Sequence, residues 1–188
     1  MNNPIRSLIQ IFEIKKMRKM SNLEKDKTVL EIGCGQGVGT KLINKYFRPK
    51  HICAIDLDKK MINRAKKKIH LSNVEFSVGD ANLLKFKDNT FDAIFDFGII
   101  HHIPNWRKCL KELKRLLKPN GQLIIEDLSR DTFYYTFLGK ILKKLLVHPY
   151  EKMFSKKELF DELKNLGFII MEKYKNSYWF SLVLKNNG

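Results

Sequence analysis

Short apolar segments alternate with longer segments of helical periodicity along most of the sequence. Runs of apolar and β-branched residues predict strands at residues 28–32, 51–55, 74–78, 91–95, 122–126, 168–172 and 178–184. Apolar residues that recur every three or four positions predict helices at residues 5–20, 40–46, 59–69, 106–117 and 155–165. Because strands and helices alternate, the pattern predicts an α/β protein built from βαβ units around a parallel sheet.

Local signals at helix ends and turns support these segments. Asp58 stands where it can cap the helix that follows, and Ser155 with Glu158 has the spacing of a capping box. Pro119-Asn120-Gly121 predicts a turn between the fourth helix and the fifth strand. No repeat or low-complexity linker interrupts the pattern, so we expect one domain over residues 1–188.

Composition narrows the class of protein. A hydrophobic fraction of 44% fits an ordered globular chain, and the formal net charge of +16 raises the question of nucleic acid. Of the 36 basic residues, 29 are lysine and 7 are arginine, whereas phosphate recognition favours arginine. We therefore expect a composition bias toward lysine rather than a nucleic-acid surface, and a nucleic-acid substrate stays an alternative.

The cysteines and the N-terminal segment bear on compartment and metal chemistry. Cys34, Cys53 and Cys109 form no Cys-x-x-Cys pair and have no histidine at ligand spacing. That spacing predicts reduced thiols, with no disulfide framework and no metal site. Polar residues interrupt the apolar pattern of residues 5–12, and no small-residue cleavage site follows it. We therefore expect a cytoplasmic protein without a signal peptide or a membrane span.

Glycines at positions 33, 35 and 37 directly follow the first predicted strand. Glycines there let the backbone turn sharply into a helix and approach a ligand closely, while the helix N-terminus favours an anionic group. A dinucleotide site needs a third glycine three residues after the second, where this chain has Val38 or Thr40. A P-loop ending in Gly-Lys-Ser/Thr is absent as well. The loop therefore predicts a nucleotide-like cofactor other than a dinucleotide.

The segment Glu31-Ile-Gly-Cys-Gly-Gln-Gly37 resembles the first motif of class I S-adenosylmethionine-dependent methyltransferases. Later segments are similar to that family in order and spacing: Gly79-Asp80-Ala81, Phe91-Asp-Ala-Ile-Phe-Asp-Phe-Gly98 with the Ile-Ile-His-His-Ile that follows, and Leu116-Leu-Lys-Pro-Asn-Gly-Gln-Leu123. The resemblance runs from around residue 24 to residue 184. It implies a Rossmann-like, seven-stranded, mostly parallel sheet with helices on both faces and an antiparallel last strand. It also implies S-adenosyl-L-methionine as cofactor and S-adenosyl-L-homocysteine as product.

The resemblance places cofactor-binding side chains at the ends of successive strands. Asp56 would accept hydrogen bonds from ribose hydroxyls, Asp80 would accept one from the adenine amine, and Met61 would pack against the adenine. The full set that the family motifs imply is Glu31, Gly33, Gly35, Gly37, Asp56, Leu57, Met61, Asp80, Ala81 and Phe97. Taken singly, such carboxylates are more often helix caps or solvated loop residues, so the interpretation rests on their joint occurrence.

His101, after the fourth strand, is the candidate general base. Methyl transfer is an in-line displacement in which the cofactor supplies the activated carbon and the protein mainly orients the reactants. Related small-molecule methyltransferases carry a histidine here that takes a proton from a hydroxyl nucleophile, a task that suits an imidazole. Asp127, after the fifth strand, is the second candidate, as an orienting group or a base. Alternatively, His101 or His102 only shapes the pocket or caps the next helix.

Residues 130–150, after the fifth strand, match the family least. Their apolar residues recur at helical spacing, at Tyr134, Phe137, Leu138, Ile141 and Leu145. Three interpretations stay open: a helix packed on the sheet edge, a lid over an apolar substrate, or an amphipathic helix that contacts an anionic membrane surface. The helix within residues 1–22 would assist as a cover on the substrate side.

Motifs for particular acceptors are mostly absent. The fourth strand exits through Asp-Phe-Gly-Ile rather than the Asn/Asp-Pro-Pro-Tyr of many enzymes that methylate exocyclic amines of bases, and no Pro-Cys nucleophile appears. We therefore expect methyl transfer to a small organic molecule, with a quinone-like or lipid acceptor as one version. The alternatives are an RNA methyltransferase and a non-catalytic partner subunit that binds S-adenosylmethionine. The acceptor atom and the oligomeric state stay open.

Overall fold

The computed structural model describes residues 4–135, 153–175 and 179–188 of the chain. Its strands are β1 (Thr28–Ile32), β2 (His51–Asp56), β3 (Val74–Val78), β4 (Phe91–Phe97), β5 (Leu117–Leu128), β6 (Phe168–Lys175) and β7 (Trp179–Asn186). Its helices are α1 (Pro4–Met20), α2 (Val38–Phe47), α3 (Lys59–Lys68), α4 (Trp106–Leu116), α5 (Arg130–Tyr135) and α6 (Lys156–Asn165). A short 3₁₀ helix, Ile100–His102, lies between β4 and α4.

The strands form one sheet in the order β3-β2-β1-β4-β5-β7-β6. The first five strands of that order run parallel to one another, whereas β7 runs antiparallel to both β5 and β6. This confirms the predicted Rossmann-like, mostly parallel sheet with an antiparallel last strand. The strand order reverses between β1 and β4, and in such sheets ligands bind at the carboxyl ends of the strands beside the reversal.

Alternate residues of the central strands point to opposite faces of the sheet, and helices cover both faces. On one face, Val29 of β1 belongs to a buried cluster with residues of α1, α2 and α3. On the other face, Leu30 and Ile32 belong to a buried cluster with residues of α4 and α6. Because both faces are buried, the strands are apolar along most of their length, which makes them recognisable as short apolar runs in the sequence.

β5 begins earlier than predicted and contains the turn of residues 119–121. Leu117 pairs with Phe91 of β4, and pairing resumes only at Gln122, so the residues between form a bulge. The preceding helix accordingly ends at Leu116 instead of extending through Leu117. The predicted turn precedes the continuously paired part of β5, but the strand itself starts before the turn, at Leu117. Proline and glycine mark a break in regular pairing, but they do not show that the strand pairs on both sides of the break.

The predicted helix caps are confirmed. The Asp58 side chain accepts a hydrogen bond from the backbone N–H of Lys60 at 2.7 Å. Ser155 and Glu158 form a reciprocal capping box at the start of α6. The other predicted segments match observed elements to within a few residues at either end, although the predicted start of the last strand, Tyr178, lies outside the described residues.

The predicted amphipathic segment over residues 130–150 lies largely outside the described residues. Its first part forms α5, in which Tyr134 is exposed. The other positions of its apolar pattern lie outside the described residues, at Phe137, Leu138, Ile141 and Leu145. The three interpretations of this segment therefore stay predictions.

α1 packs against the body of the sheet through buried Ile14 and Met17. α1 also contacts β6, because Lys16 Nζ lies 3.5 Å from the centroid of the Tyr174 ring in a cation–π contact. Its expected role as a cover on the substrate side stays a prediction. Within the described residues, no helix is long and apolar enough to cross a bilayer.

Candidate active site

A cleft of about 370 Å³ lies at the carboxyl ends of β1, β2, β3 and β4, beside the reversal in strand order. Five of the predicted cofactor residues line it, namely Gly33, Asp56, Leu57, Asp80 and Ala81. A larger cavity of about 560 Å³ lies between α1, α2 and the end of α3, and lysines and apolar side chains line it. We place the candidate site in the smaller cleft because the glycine loop and two acidic strand ends converge there.

The glycine loop after β1 forms one wall of this cleft. Gly33 has a φ of +63°, and a Cβ at this position would lie 2.1 Å from the side chain of Ile99. Any larger residue would therefore meet both a backbone penalty and a steric clash. The loop is tied to β2 because Gly35 N–H donates a hydrogen bond to Asp56 Oδ2 at 2.8 Å.

Asp56 ends β2 with a carboxylate that the main chain holds in place. While Oδ2 accepts from Gly35 N–H, Oδ1 accepts from Asp58 N–H, also at 2.8 Å. Each carboxylate oxygen can accept more than one hydrogen bond. A fixed carboxylate with acceptor positions on both oxygens fits the two neighbouring hydroxyls of a ribose.

Asp80 follows β3 and brings a second acidic acceptor to the cleft. Its Oδ1 accepts from the backbone N–H of Asn82 at 2.8 Å and from the Asn82 amide at 3.0 Å, as in an Asx turn. Leu57 lines the same cleft and is 73% exposed. An acidic acceptor beside an accessible apolar side chain suits a heteroaromatic ring that carries an amine.

The remaining predicted cofactor residues do not line the cleft. Gly35 and Gly37 lie within the loop, Met61 is half-buried on α3, and Phe97 is half-buried at the end of β4. Glu31 is buried in the core beneath the loop. Their contact with a cofactor therefore stays a prediction.

Glu31 is held between β1 and α2, where the Thr40 hydroxyl donates a hydrogen bond to its Oε2. A Cβ on Gly39 would lie 2.2 Å from Glu31 Oε1, so α2 approaches the carboxyl group closely because residue 39 is glycine. Burial raises the pKa of Glu31 to about 8. The Thr40 hydrogen bond acts to lower this pKa, and the negative charge of Asp56 acts to raise it further. In the folded protein this side chain therefore keeps its proton at neutral pH.

The buried proton of Glu31 predicts a specific pH dependence of stability. The pKa of Glu31 rises from 4.5 to about 8 on folding, so unfolding releases a proton between these values. The free energy of unfolding should then fall by up to roughly 1.4 kcal/mol per pH unit across that window. In Glu31→Gln this slope should be absent, so the stability of wild type relative to the variant should decrease from pH 5 to pH 8.

Urea unfolding of both proteins across that pH range measures the difference. Glu24→Gln, at an exposed position, is the matched control and should unfold with the wild-type slope. If the unfolding free energies of Glu31→Gln and wild type change with pH by the same slope, the pKa of Glu31 does not rise on folding.

His101 and Asp127 form a buried pair at the ends of β4 and β5. His101 is 7% exposed and Asp127 is 1% exposed. His101 Nδ1 is hydrogen bonded to Asp127 Oδ1, and the backbone N–H of His101 donates to Asp127 Oδ2 at 3.0 Å. With Nδ1–H donating to the carboxylate, Nε2 is the ring nitrogen that can accept a proton. The two predicted catalytic residues are thus brought together.

Asp96, near the end of β4, is a third buried acid beside this pair, and no motif in the sequence singles it out as a site residue. Its Oδ1 accepts hydrogen bonds from Ile99 N–H at 2.9 Å and from Ile100 N–H at 3.3 Å. These bonds position the start of the 3₁₀ helix that carries His101. Burial and, second, the charge of Asp127 raise the pKa of Asp96 well above its usual range. A proton on Asp96 keeps two neighbouring buried carboxyl groups from being charged at the same time.

His102 differs from its neighbour in exposure. It is exposed and lines the cleft together with Ile99, Ile103 and Pro104. The two imidazole centroids are 3.9 Å apart. The cleft thus has an acidic end at Asp56 and a largely apolar wall at the exit of β4, and the buried His101–Asp127 pair lies directly behind that exit.

Comparison with known proteins agrees with this geometry. A family model described as a methyltransferase domain matches residues 23–180. A solved S-adenosylmethionine-dependent methyltransferase from Aquifex aeolicus shares the fold with a TM-score of 0.75 and 27% identity, over 95% of this chain and 92% of that one. The fold and motifs together are those of the class I S-adenosylmethionine-dependent methyltransferases. More particularly, the chain belongs to the family of this methyltransferase domain.

Two curated relatives show the range of the similarity. A fatty-acid O-methyltransferase from Mycolicibacterium smegmatis is 36% identical over 101 residues, which make up 54% of this chain and 37% of the relative. A demethylmenaquinone methyltransferase from Geobacillus sp. (strain WCH70) is 27% identical over 194 residues, 90% of this chain and 82% of the relative. The chain therefore spans well under half of the first relative and most of the second.

Proposed function

We propose that this chain transfers the methyl group of S-adenosylmethionine to a small, largely apolar organic molecule. The observation that carries the proposal is the composition of the cleft: carboxylates at Asp56 and Asp80 lie at one end, and Ile99, Ile103 and Pro104 line the exit of β4. The first end suits an adenosine group, and the second suits an acceptor with little charge. The names of the relatives, which refer to a fatty acid and to demethylmenaquinone, support an apolar acceptor.

The residues of the chain would contribute mainly by positioning. When bound, S-adenosylmethionine supplies an already activated methyl group. Gly33 lets the backbone approach that ligand, and Asp56 would accept hydrogen bonds from its ribose. Apolar residues at the exit of β4 would align the acceptor and exclude water.

Within this proposal, His101 serves as the general base. Asp127 holds the imidazole by Nδ1 and stabilises the imidazolium that forms when Nε2 takes the acceptor's proton. Nε2 of His101 would take the proton that a hydroxyl or similar nucleophile of the acceptor gives up when it is methylated. Asp96 is a positioning residue, since it holds the backbone N–H groups just before His101.

Calorimetry with S-adenosylmethionine and S-adenosylhomocysteine tests the cofactor part of the proposal. We expect both to bind in the cleft, with affinities that respond to changes at Asp56. If neither compound binds at millimolar concentration, the proposal of methyl transfer is contradicted for any acceptor.

A methyl-transfer screen with labelled cofactor tests the acceptor part. We expect transfer to fatty acids, quinols or similar apolar molecules rather than to RNA. Transfer to RNA, with RNA binding that weakens steeply as salt increases, would favour an RNA methyltransferase, for which the net charge of +16 is the supporting feature. Cofactor binding without transfer to any acceptor would favour the non-catalytic subunit.

We also propose a cytoplasmic location, which the three buried free thiols support.

A further inference from the structure

We infer that His51, Cys53 and Glu75 bind a divalent transition metal, with zinc as the best match, toward the amino ends of β2 and β3 and away from the cleft. The three side chains bring a nitrogen, a sulfur and an oxygen donor together on one face of β2 and β3. Their ligand atoms all lie within 4.8 Å of one another. This site is independent of methyl transfer and of the proposed function.

The register of the two strands produces this arrangement. Cys53 of β2 is paired with Glu75 of β3, so their side chains lie side by side on the same face. His51 precedes Cys53 by two residues on β2, and alternate residues of a strand share a face. His51 Nε2 lies 3.8 Å from Glu75 Oε2. The donors are thus placed by paired backbone rather than by a flexible loop.

The donor set and its spacing suit zinc. Zinc is bound by cysteine, histidine and carboxylate ligands at about 2.0–2.3 Å, so a tetrahedral ion separates its ligand atoms by roughly 3.3–3.8 Å. The observed separations need side-chain rotations that close about 1 Å. Three protein ligands leave a fourth position for water, and a mixed set of this kind is poorly matched to calcium or magnesium, which prefer oxygen.

The electrostatics of the group also favour a cation. Cys53 is 8% exposed, and Glu75 is an exposed carboxylate beside it. A bound dication would replace the thiol proton, which passes to solvent, and would neutralise the charges of both the thiolate and Glu75.

A metal here would act on stability rather than on catalysis. His51 begins β2 and Asp56 ends it, so at about 3.3 Å per residue His51 and Cys53 lie about 16 Å and about 10 Å along the strand from Asp56 in the cleft. Within the described part of the sheet, β3 is an edge strand that pairs with β2 alone. Metal coordination would link the edge strand to its neighbour. The sequence spacing predicts no metal site because the third ligand comes from another strand.

Cobalt(II) provides the decisive probe, because a cobalt–thiolate bond has a charge-transfer absorption in the near ultraviolet. Titration of the reduced, metal-free full chain with cobalt should produce this band, and zinc should abolish it by displacement. Cys53→Ser should remove the band. His51→Ala and Glu75→Gln should weaken cobalt binding by at least about tenfold, the loss that even outer-shell partners of metal ligands cause. His70→Ala, at an exposed position outside the group, is the control and should bind like wild type.

A second measurement guards against misfolded variants. Zinc should raise the unfolding temperature of wild type and of His70→Ala but not that of Cys53→Ser, because a ligand that binds only the folded state stabilises it. The proposal is overturned if millimolar cobalt gives no thiolate band with folded wild type. It is equally overturned if Cys53→Ser keeps the band, since the thiolate would then be Cys34 or Cys109.

Discussion

Replacing Asp56 with alanine should weaken binding of S-adenosylmethionine by about a hundredfold or more. Hydrogen bonds to a charged acceptor are worth about 1.5–3 kcal/mol each, and the two ribose hydroxyls would lose both acceptors at once. At 1.4 kcal/mol per factor of ten, the expected loss is two orders of magnitude or more. Calorimetry with S-adenosylmethionine and S-adenosylhomocysteine measures it, and both ligands should lose affinity to the same extent because they share the ribose.

Two further variants separate this effect from damage to the loop, since Asp56 also holds Gly35 N–H and Asp58 N–H. Asp56→Asn keeps the shape and one acceptor oxygen, and should lose affinity by only about tenfold. Asp58→Ala removes a nearby carboxylate that caps α3, so it should cost stability by about 1 kcal/mol and change cofactor affinity less than threefold. A folded Asp56→Ala protein that binds the cofactor like wild type would remove Asp56 from the cofactor site.

Replacing His101 with alanine should lower kcat by about 10²–10⁴ while cofactor affinity changes little. That range is the usual contribution of a positioned general base. Asp127 holds His101 through both its ring and its backbone N–H. Asp127→Asn should therefore also lower kcat, because the amide favours the wrong tautomer of the His101 imidazole. Steady-state kinetics at saturating acceptor measure kcat separately from KM. The pH profile of kcat for wild type should show the titration of the base, and this titration should be absent from the profile of His101→Ala.

His102→Ala is the matched control for this prediction. It removes the neighbouring imidazole, which lines the cleft directly, so it should change KM for the acceptor more than kcat. If His102→Ala loses more turnover than His101→Ala, the base is the exposed histidine. If a folded His101→Ala protein turns over at the wild-type rate, methyl transfer here needs no base and orientation alone suffices.

The sheet could be predicted from sequence because its strands are buried on both faces and appear as short apolar runs. The acid that ends β2, Asp56, was predictable for the same reason, since a charge directly after a buried strand lies at the sheet's edge. Glu31 shows the limit of that reasoning. It is the penultimate residue of β1, in register with Ala54 rather than with Asp56, and its carboxyl is buried in the core, where Thr40 of α2 donates to it and Gly39 leaves space for it.

Other features depend on contacts between distant parts of the chain. Asp96 could have been noticed as an acid near the end of an apolar strand, but only packing shows that it lies beside Asp127 and holds the N–H groups of Ile99 and Ile100. The grouping of Cys53 with Glu75 follows from strand register, and sequence spacing carries no information about register between separate strands.

Because Gly33 has no side chain, the glycine loop after β1 and the loop after β4 are in direct contact. Ile99 occupies the space that a Cβ would fill, and the 3₁₀ helix that carries His101 begins at the next residue. A ligand that displaces the glycine loop should therefore also displace the loop that carries His101, the proposed base. By linkage, each of the two reactants should then alter the affinity for the other by the same factor. The size of this coupling is then the same whichever of the two reactants enters the cleft first.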